Sequence, residues 1–554
     1  MPLQTSEQIA EMLDAYGVSH FFFVPVILPE TLKRLSERGI LPVMTHGEKA
    51  AAYMADGYAR ISRKVGVCGA QAIGSTNLAA GLRDAYMART PIVALSGEPD
   101  ARNAYRNLYQ DVDDHGAFEA VTKWNAHVPG PARFPDLLRQ AFRTASSGVP
   151  RPVHLGLVGR TGNPGDSPAE GVTRAEPRYG MAPSDRPLAQ TSSVAAAAEL
   201  LAVARRPVIL AGNGVARSGA ARELVALAEQ LRIPVVTTLN GLSSIAADHP
   251  LYGGVVGEYG ADCANAILLR ADVVLVAGSS LGSMTTKNWS LIPAEAQVIQ
   301  LDIDGAEIGR NFECAVPLVG DVRAVLEQLI AQVISTGRQH GPAEWAAEAA
   351  DIRAGWLDDV RDNETSDAVP IRPERLFRMI GEQLAADGVL VGDTGHTAAW
   401  TARHIRLSAG KSVVRAAGSL GWGLPASLGV KCACPDREVI CMTGDAGFFY
   451  HLSELETARR YGLKVIVVVN NNTSMNQEAF FWDAGAPDQE KNWQFHDADL
   501  AQIARGFGCH GARVDDPADF AAALDKARAS ELPAVIDVRT DIAVVSPPSL
   551  GPAL

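Results

Sequence analysis

The fold is decided by residues 439–472, which read VICMTGDAGFFYHLSELETARRYGLKVIVVVNNN. Two apolar runs, 439–443 and 465–469, are short and rich in Val and Ile, and a segment with helical spacing, 452–461, lies between them. Runs of this kind are typical of strands that are buried on both faces, and a connecting helix makes such strands parallel. The stretch therefore predicts a strand–helix–strand unit in a parallel sheet.

The same alternation extends along the rest of the chain. Strands are predicted at 20–26, 65–71, 91–96, 207–211, 234–237, 273–277, 298–302, 388–392 and 534–538, and helices at 6–16, 49–60 and 77–87. Two stretches rich in Pro, Gly or charge, 161–187 and 335–370, are predicted to be linkers. We therefore expect an α/β protein of three doubly wound parallel-sheet domains, at 1–165, 188–335 and 370–554.

Composition excludes several classes of protein. The chain has 554 residues, of which 47% are hydrophobic and 20% charged, so disordered, collagen-like and coiled-coil proteins are excluded. The net charge of −13, without long Lys/Arg blocks, argues against nucleic acid or an anionic membrane as the partner. We expect no signal peptide, no membrane span and a cytoplasmic location. The seven cysteines make no disulfide framework, and we interpret Cys432, Cys434 and Cys441 as small buried thiols rather than zinc ligands.

Polar residues follow the two strands of the deciding stretch. Asp445 comes directly after the first strand, among Gly444, Ala446 and Gly447, and three asparagines follow the second strand. Because neighbouring strand ends lie close together, one carboxylate and neutral amide oxygens would converge there. That set suits Mg²⁺ or Ca²⁺ and leaves room for phosphate oxygens. The alternative is a plain strand–helix turn with an aspartate cap.

This segment resembles the thiamine diphosphate (ThDP) motif of the acetolactate synthase and pyruvate decarboxylase superfamily, which begins Gly-Asp-Gly and closes with Asn-Asn. Ala446 stands where the family has its last glycine. The spacing of the family favours Asn472 as the metal ligand. The resemblance implies that Asp445, Asn472 and the backbone carbonyl of Ser474 bind Mg²⁺.

Further landmarks of the family occur in order along the whole chain. They are residues 45–60 around Glu48, the glycine turn 73–78, Tyr109-Gln110, 122–124, 392–396 and 418–426. The resemblance implies an N-terminal pyrimidine-binding domain, a central domain and a C-terminal diphosphate-binding domain.

The resemblance also implies roles for individual residues. Glu48 would hydrogen-bond the aminopyrimidine ring, and the cofactor would bend over Leu420. The cofactor-binding residues would be Glu48, Thr394, Gly395, His396, Gly418, Leu420, Gly444, Asp445, Ala446, Gly447, Asn472, Ser474 and Met475. Because Glu48 and Asp445 lie in different domains, the family implies active sites between subunits of a homodimer or homotetramer.

Substrate chemistry is predicted less sharply. Glu478 follows the motif where some family decarboxylases carry an acidic residue, so it is a candidate acid–base group or, alternatively, a solvent-facing helix residue. Gln110 and His115 are further catalytic candidates, and His396 is a candidate proton donor. In the central domain the corresponding region of relatives holds FAD, an ADP moiety or nothing. The phosphate fingerprint at 212–215 is incomplete, so we expect a structural domain without a nucleotide.

We therefore expect a ThDP- and Mg²⁺-dependent enzyme that forms or cleaves a C–C bond next to a carbonyl. An acetolactate synthase-like carboligase or 2-oxoacid decarboxylase is the leading interpretation. A lyase acting on a 2-hydroxyacyl-CoA, or an oxalyl-CoA decarboxylase-like enzyme, is the alternative. Glu478 and the apolar stretch 22–26 argue against a true acetolactate synthase. A non-catalytic regulatory protein would be expected to lack Glu48, Asp445 or the asparagines, and an NAD(P)-dependent oxidoreductase would need a complete glycine fingerprint.

Overall fold

A computed structural model describes residues 3–103, 106–110, 112–163, 168–170, 172–335, 342–482 and 489–546. These residues form three six-stranded sheets whose strands are all parallel, with helices between most successive strands. The predicted fold class is confirmed.

The N-terminal sheet has the strand order β2-β1-β3-β4-β6-β5. Its strands are β1 His20–Phe23, β2 Leu41–Met44, β3 Gly66–Ala70, β4 Ile92–Glu98, β5 Trp124–Val128 and β6 Pro152–Val158. Its helices are α1 Thr5–Ala15, α2 Pro29–Glu37, α3 Glu48–Ser62, α4 Ser75–Met87 and α5 Phe134–Ser146.

The central sheet has the order β12-β11-β10-β7-β8-β9. Its strands are β7 Pro207–Ala211, β8 Val235–Thr237, β9 Tyr252–Val255, β10 Val273–Ala277, β11 Gln297–Asp302 and β12 Val316–Val319. Its helices are α6 Thr191–Val203, α7 Asn213–Ser218, α8 Ala221–Leu231, α9 Asp262–Leu268, α10 Ser283–Thr286 and α11 Val322–Ser335. Two more helices follow, α12 Ala343–Asp359 and α13 Arg361–Glu364.

The C-terminal sheet has the order β14-β13-β15-β16-β18-β17. Its strands are β13 Val389–Gly392, β14 Ser412–Arg415, β15 Val439–Gly444, β16 Ile466–Asn471, β17 His510–Val514 and β18 Ala534–Arg539. Its helices are α14 Pro373–Gln383, α15 His396–His404, α16 Gly423–Ala433, α17 Asp445–His451, α18 Glu454–Arg460, α19 Leu500–Gly506 and α20 Phe520–Ala529. The first and last sheets therefore share one strand order, a likeness that the sequence spacing alone does not show.

The N-terminal and C-terminal domains pack closely through α3 and α16. A Cβ atom on Gly57 would collide with the carbonyl of Ala426, and one on Gly429 would collide with the carbonyl of Met54. The two glycines therefore let the helix backbones touch. Buried side chains of both domains form one continuous apolar cluster around this contact. This contact fixes how the two domains sit against each other within one chain.

Three predicted elements differ from the structure. The strand predicted at 20–26 ends at Phe23. The helix predicted at 452–461 is shorter, Glu454–Arg460 (α18), and a separate helix that was not predicted, α17, begins at Asp445 itself. The linker predicted at 335–370 instead contains a helix, α12. Trp345 of this helix is buried against the central domain and donates a hydrogen bond to the carbonyl of Pro207 at 2.9 Å. This amphipathic helix was not predicted because the stretch that contains it has a polar composition. The predicted domain limits stay a prediction.

Within the described residues, no helix is both long enough and apolar enough to span a bilayer.

Candidate active site

A cavity of about 350 Å³, which we call the Asp445 cavity, lies at the carboxyl ends of β13, β15 and β16. Strand ends in a doubly wound sheet are where ligands usually bind. The cavity is lined by Tyr259, Thr394, Gly395, His396, Thr397, Gly418, Leu420, Gly444, Asp445, Ala446, Gly447, Asn470, Asn472, Ser474, Met475, Asn476, Gln477 and Glu478. Every C-terminal residue that the sequence analysis assigned to the cofactor is therefore brought to one place.

Two side-chain oxygens converge at one point of the cavity wall. The backbone N–H of Ser474 donates to Oδ2 of Asp445 at 3.0 Å and to Oδ1 of Asn472 at 3.1 Å. The hydroxyl of Ser474 also donates to Oδ1 of Asn472, at 2.9 Å. A carboxylate oxygen and an amide oxygen thus lie within reach of the same atom, which is the pairing that a hard cation such as Mg²⁺ needs.

Asp445 is almost completely buried. Burial raises the pKa of its carboxyl group to about 6, although the N–H groups of Ala446 and Ser474 favour the charged form. A bound cation would favour the carboxylate further.

The side chains of the three consecutive asparagines point in two directions. Asn471 donates to Oδ1 of Asp537 at 2.7 Å and accepts from the N–H of Thr473 at 3.0 Å. Asn470 and Asn472 line the cavity. Neighbouring residues of a strand point to opposite faces, which explains the division. The structure therefore brings Asn472, not Asn471, to Asp445, as the family spacing favoured.

Asn470 was not predicted as a site residue. Its Oδ1 is buried and has no hydrogen-bond partner within the described part of the chain. Its position as the first polar residue at the end of a buried strand was a signal that could have marked it.

The turn after β15 leaves no space for a side chain at Gly447. A Cβ atom there would lie 2.5 Å from Oγ1 of Thr443 and 2.9 Å from Oδ2 of Asp393. Ala446 lies on the cavity wall beside it. The departure from the family glycine at Ala446 therefore changes the cavity lining and leaves the turn intact.

Asp393 holds three segments around the cavity and was also missed. It follows β13 and is almost completely buried. Its carboxylate accepts from the N–H groups of Gly421 and Gly423, each at 3.1 Å, and from the hydroxyl of Thr443 at 3.1 Å. Burial raises its pKa to about 6. The Gly-Asp pair at a strand end was the available signal.

The loop that carries Leu420 is held from the N-terminal domain. Asp84 of α4 accepts from the N–H groups of Ala417, Gly418 and Ser419 at 2.9–3.2 Å. The same buried carboxylate pairs with Arg60 at 2.8 Å. The position of Leu420 on the cavity wall thus depends on a helix far away in the sequence.

Two titratable candidates share the cavity. His396 lies 2.8 Å from Oδ1 of Asn476, and burial lowers its pKa to about 4, so its ring is neutral near pH 7. Glu478 is half-buried in a 3₁₀ helix, Asn476–Phe481. Both side chains reach the same space as Asp445.

The N-terminal candidates lie elsewhere in the same chain. Glu48 is half-buried at the start of α3, accepts from Nδ2 of Asn77 at 3.3 Å and leaves no room for a side chain on Gly74. Among the described residues, Glu48, Gln110 and His115 do not line the cavity. One chain therefore does not bring Glu48 to Asp445.

A second cavity, of about 330 Å³, lies at the strand ends of the central domain, and Asn213 and Arg415 are among its lining residues. The glycine-rich turn at 212–215 is tied down by the N–H of Gly214, which donates to the carbonyl of Gly278 at 2.9 Å. The expectation of a central domain without a nucleotide stays a prediction.

Comparisons with known proteins agree with this geometry. Three family models match: the N-terminal TPP binding domain of thiamine pyrophosphate enzymes at residues 3–118, their central domain at 194–329 and their C-terminal TPP binding domain at 393–538.

Relatives cover nearly the whole chain. A probable acetolactate synthase large subunit of Methanocaldococcus jannaschii is 31% identical, over 98% of this chain and 93% of the relative. One of Methanococcus aeolicus is 30% identical, over 97% and 92%. An acetolactate synthase of Mycobacterium bovis is 31% identical, over 97% and 88%. The resemblance seen in the motifs is confirmed.

Proposed function

The chain belongs to the thiamine pyrophosphate enzyme family, and we propose that its cofactor lies in the Asp445 cavity with Mg²⁺ bound by Asp445 and Asn472. The protein is a ThDP-dependent carboligase similar to acetolactate synthase large subunits. The observation that carries the proposal is the convergence of a carboxylate and an amide oxygen on the N–H of Ser474.

The residues present fit this group. Asp445 and Asn472 supply two oxygen ligands, the backbone carbonyl of Ser474 is the proposed third, and water and phosphate oxygens would complete the octahedron that Mg²⁺ prefers. The unpartnered Oδ1 of Asn470 offers one more polar contact in the same space. The small residues from Gly444 to Gly447 let the backbone approach a diphosphate.

When bound, ThDP supplies a nucleophilic carbon and an electron sink for making or breaking the bond beside a carbonyl. We propose that the protein's part is positioning. Leu420 would support the cofactor from a loop that Asp84 and Asp393 hold in place. His396 and Glu478 lie where a proton on the substrate could be donated or accepted. His115 and Gln110 stay proposed catalytic residues that would enter from another subunit.

We propose that Glu48 reaches the cofactor from a second subunit, in a homodimer or homotetramer. In one chain Glu48 is outside the cavity lining. Ile73, beside the glycine against which Glu48 packs, is exposed, and so are Tyr109 and Val112. Exposed apolar side chains close to a proposed catalytic residue are typical of an interface. A cytoplasmic location stays a prediction.

The proposed substrate is a 2-oxoacid, and the experiment is CO₂ release from pyruvate by protein reconstituted with ThDP and Mg²⁺. We expect release together with a C–C coupled product in mass spectrometry. The Asp445→Asn variant, which keeps the shape of the side chain, should release none. If ThDP-loaded protein releases no CO₂, the 2-oxoacid assignment is wrong, and a 2-hydroxyacyl-CoA would be tested next.

A further inference from the structure

A second group of potential metal ligands lies in the N-terminal domain. Glu98 is the last residue of β4, His115 begins the 3₁₀ helix His115–Phe118, and His154 lies in β6. One potential ligand atom from each of these three residues lies within 4.8 Å of the other two. Three separate segments of the chain thus meet at this point.

The side chain of Glu98 is buried, and its carboxylate packs against Gly156. A Cβ atom on Gly156, which lies on the neighbouring strand β6 opposite Ser96, would collide with this carboxylate. Among the described residues its ion pairs are with histidines, His115 at 2.6 Å and His127. A buried carboxylate costs free energy unless a cation or hydrogen bonds compensate it, and no lysine or arginine of the described chain pairs with it.

His154 has one ring nitrogen that is unused. The ring is completely buried, stacks on Phe118 at 3.5 Å, and has Nε2 2.8 Å from the hydroxyl of Ser96. Its Nδ1 is buried and has no hydrogen-bond partner among the residues that the structure describes. If Nε2–H donates to Ser96, Nδ1 keeps a lone pair. Metal-bound histidines show the same pattern, with one nitrogen on the ion and the other donating to a protein group.

We propose that Glu98, His115 and His154 bind a divalent transition-metal ion of the Zn²⁺ class. Two imidazoles and one carboxylate suit Zn²⁺, whereas Mg²⁺ and Ca²⁺ prefer oxygen ligands. The ring of His127 stacks on that of His115 at 3.7 Å and is exposed, so it lies on the solvent side of the group. Within one chain, none of these three residues lines the Asp445 cavity, although His115 is also a proposed catalytic residue of a neighbouring subunit's site.

The test is Zn²⁺ binding by protein that has been stripped of metal and then supplied with saturating ThDP and Mg²⁺, which occupy the Asp445 cavity. Equilibrium dialysis with elemental analysis should find one Zn²⁺ per chain. Glu98→Gln and His115→Asn should each weaken binding by at least about tenfold, since loss of even an outer partner of a metal ligand costs that much.

The matched control is His249→Asn. His249 also pairs with a glutamate, Glu229 at 3.3 Å, and its side chain is 16% exposed, as is that of His115. This variant should bind Zn²⁺ like the wild type. Circular dichroism of all variants shows whether each one is folded.

Cobalt provides a second measurement on the wild type alone. Co²⁺ in place of Zn²⁺ should give a visible absorption band of a low-coordinate nitrogen–oxygen site, and Zn²⁺ should abolish it. The proposal is overturned if the wild type binds no Zn²⁺ and shows no such band. It is equally overturned if folded Glu98→Gln and His115→Asn proteins bind Zn²⁺ as tightly as the wild type.

Discussion

At the scale of single residues, identical neighbours serve different purposes. Asn470, Asn471 and Asn472 stand side by side, yet Asn471 bonds Asp537 while the other two face the cavity. Side chains alternate in direction at the end of the strand, so one residue bonds the neighbouring strand while the other two are available to a ligand. Ala446 and Gly447 both line the cavity, but a Cβ atom on Gly447 would meet buried polar atoms of Thr443 and Asp393.

The first prediction compares these two small residues. Gly447→Ala would place a methyl group 2.5 Å from Oγ1 of Thr443 and displace Asp393, so we expect a loss of about 1–3 kcal/mol in stability and at least about tenfold in ThDP affinity. Ala446→Gly should keep most of both, because it only removes a methyl group from the cavity wall. Thermal unfolding and ThDP titration measure the two effects. Equal behaviour of the two variants would contradict this account of the turn.

At the scale of elements, a helix of one domain holds a loop of another domain in place. Asp84 of α4 receives the N–H groups of Ala417, Gly418 and Ser419, and Arg60 lies beside it. The side chain of Asp84 is completely buried, so water weakens its interactions little. The cavity wall at Leu420 is therefore part of the contact between the N-terminal and C-terminal domains.

The second prediction concerns this helix. Asp84→Asn leaves Arg60 short of a partner and turns an amide toward backbone N–H donors, so the free energy of unfolding should fall by about 3 kcal/mol. ThDP affinity should fall with it. The control is Asp136→Asn, which removes an exposed pair with Arg139 and should cost under about 0.5 kcal/mol. An Asp84→Asn protein as stable as this control would show that Asp84 does not hold the loop.

The sequence was sufficient for elements with strong local patterns. The strands 207–211 and 273–277 are found as predicted, since fully apolar runs between turn residues leave few alternatives. The helix at 343–359 was missed because its buried face consists of little more than Trp345 and Ala349. The parts of the site near Asp445 were also readable, because a motif marks them.

Other parts of the site depend on contacts that no local pattern encodes. Asp84 lies more than 300 positions before the loop it holds. Tyr259 enters the cavity from the central domain without any motif around it. Outside that site, the group of Glu98, His115 and His154 forms only when two strands and a 3₁₀ helix are assembled.

At the scale of the whole molecule, partly buried histidines make the stability of the fold depend on pH. Burial lowers the pKa of His20, His396 and His451 to about 4 from 6.5. Each group is protonated in the unfolded chain below pH 6.5 but stays neutral in the folded chain down to about pH 4. The stability that each neutral ring contributes is therefore present above pH 6.5 and lost as pH falls toward 4.

The third prediction isolates one of these groups. His20→Asn should reduce the fall in melting temperature between pH 6.5 and 4, corresponding to about one proton fewer taken up on unfolding. The exposed residue His496 provides the control, and His496→Asn should run parallel to the wild type. Thermal unfolding across this pH range makes the comparison. A His20→Asn curve parallel to the wild type would show that His20 does not contribute to the acid response.

In the proposed assembly, Asp445 of one subunit and Glu48 of another complete each active site. The first and last domains have the same strand order and touch within one chain through α3 and α16, yet Glu48 stays outside the cavity lining. Two inactive variants, Glu48→Gln and Asp445→Asn, separate a site within one chain from a site between two.

The decisive measurement is the activity of a random mixture of these two variants, co-expressed so that mixed dimers form. If the site lies between subunits, each mixed dimer keeps one site with both residues intact, and the mixture should show about a quarter of wild-type activity. If Glu48 and Asp445 act within one chain, no site in any dimer is intact. A mixture as inactive as either variant alone, with mixed dimers shown to be present, would contradict the account.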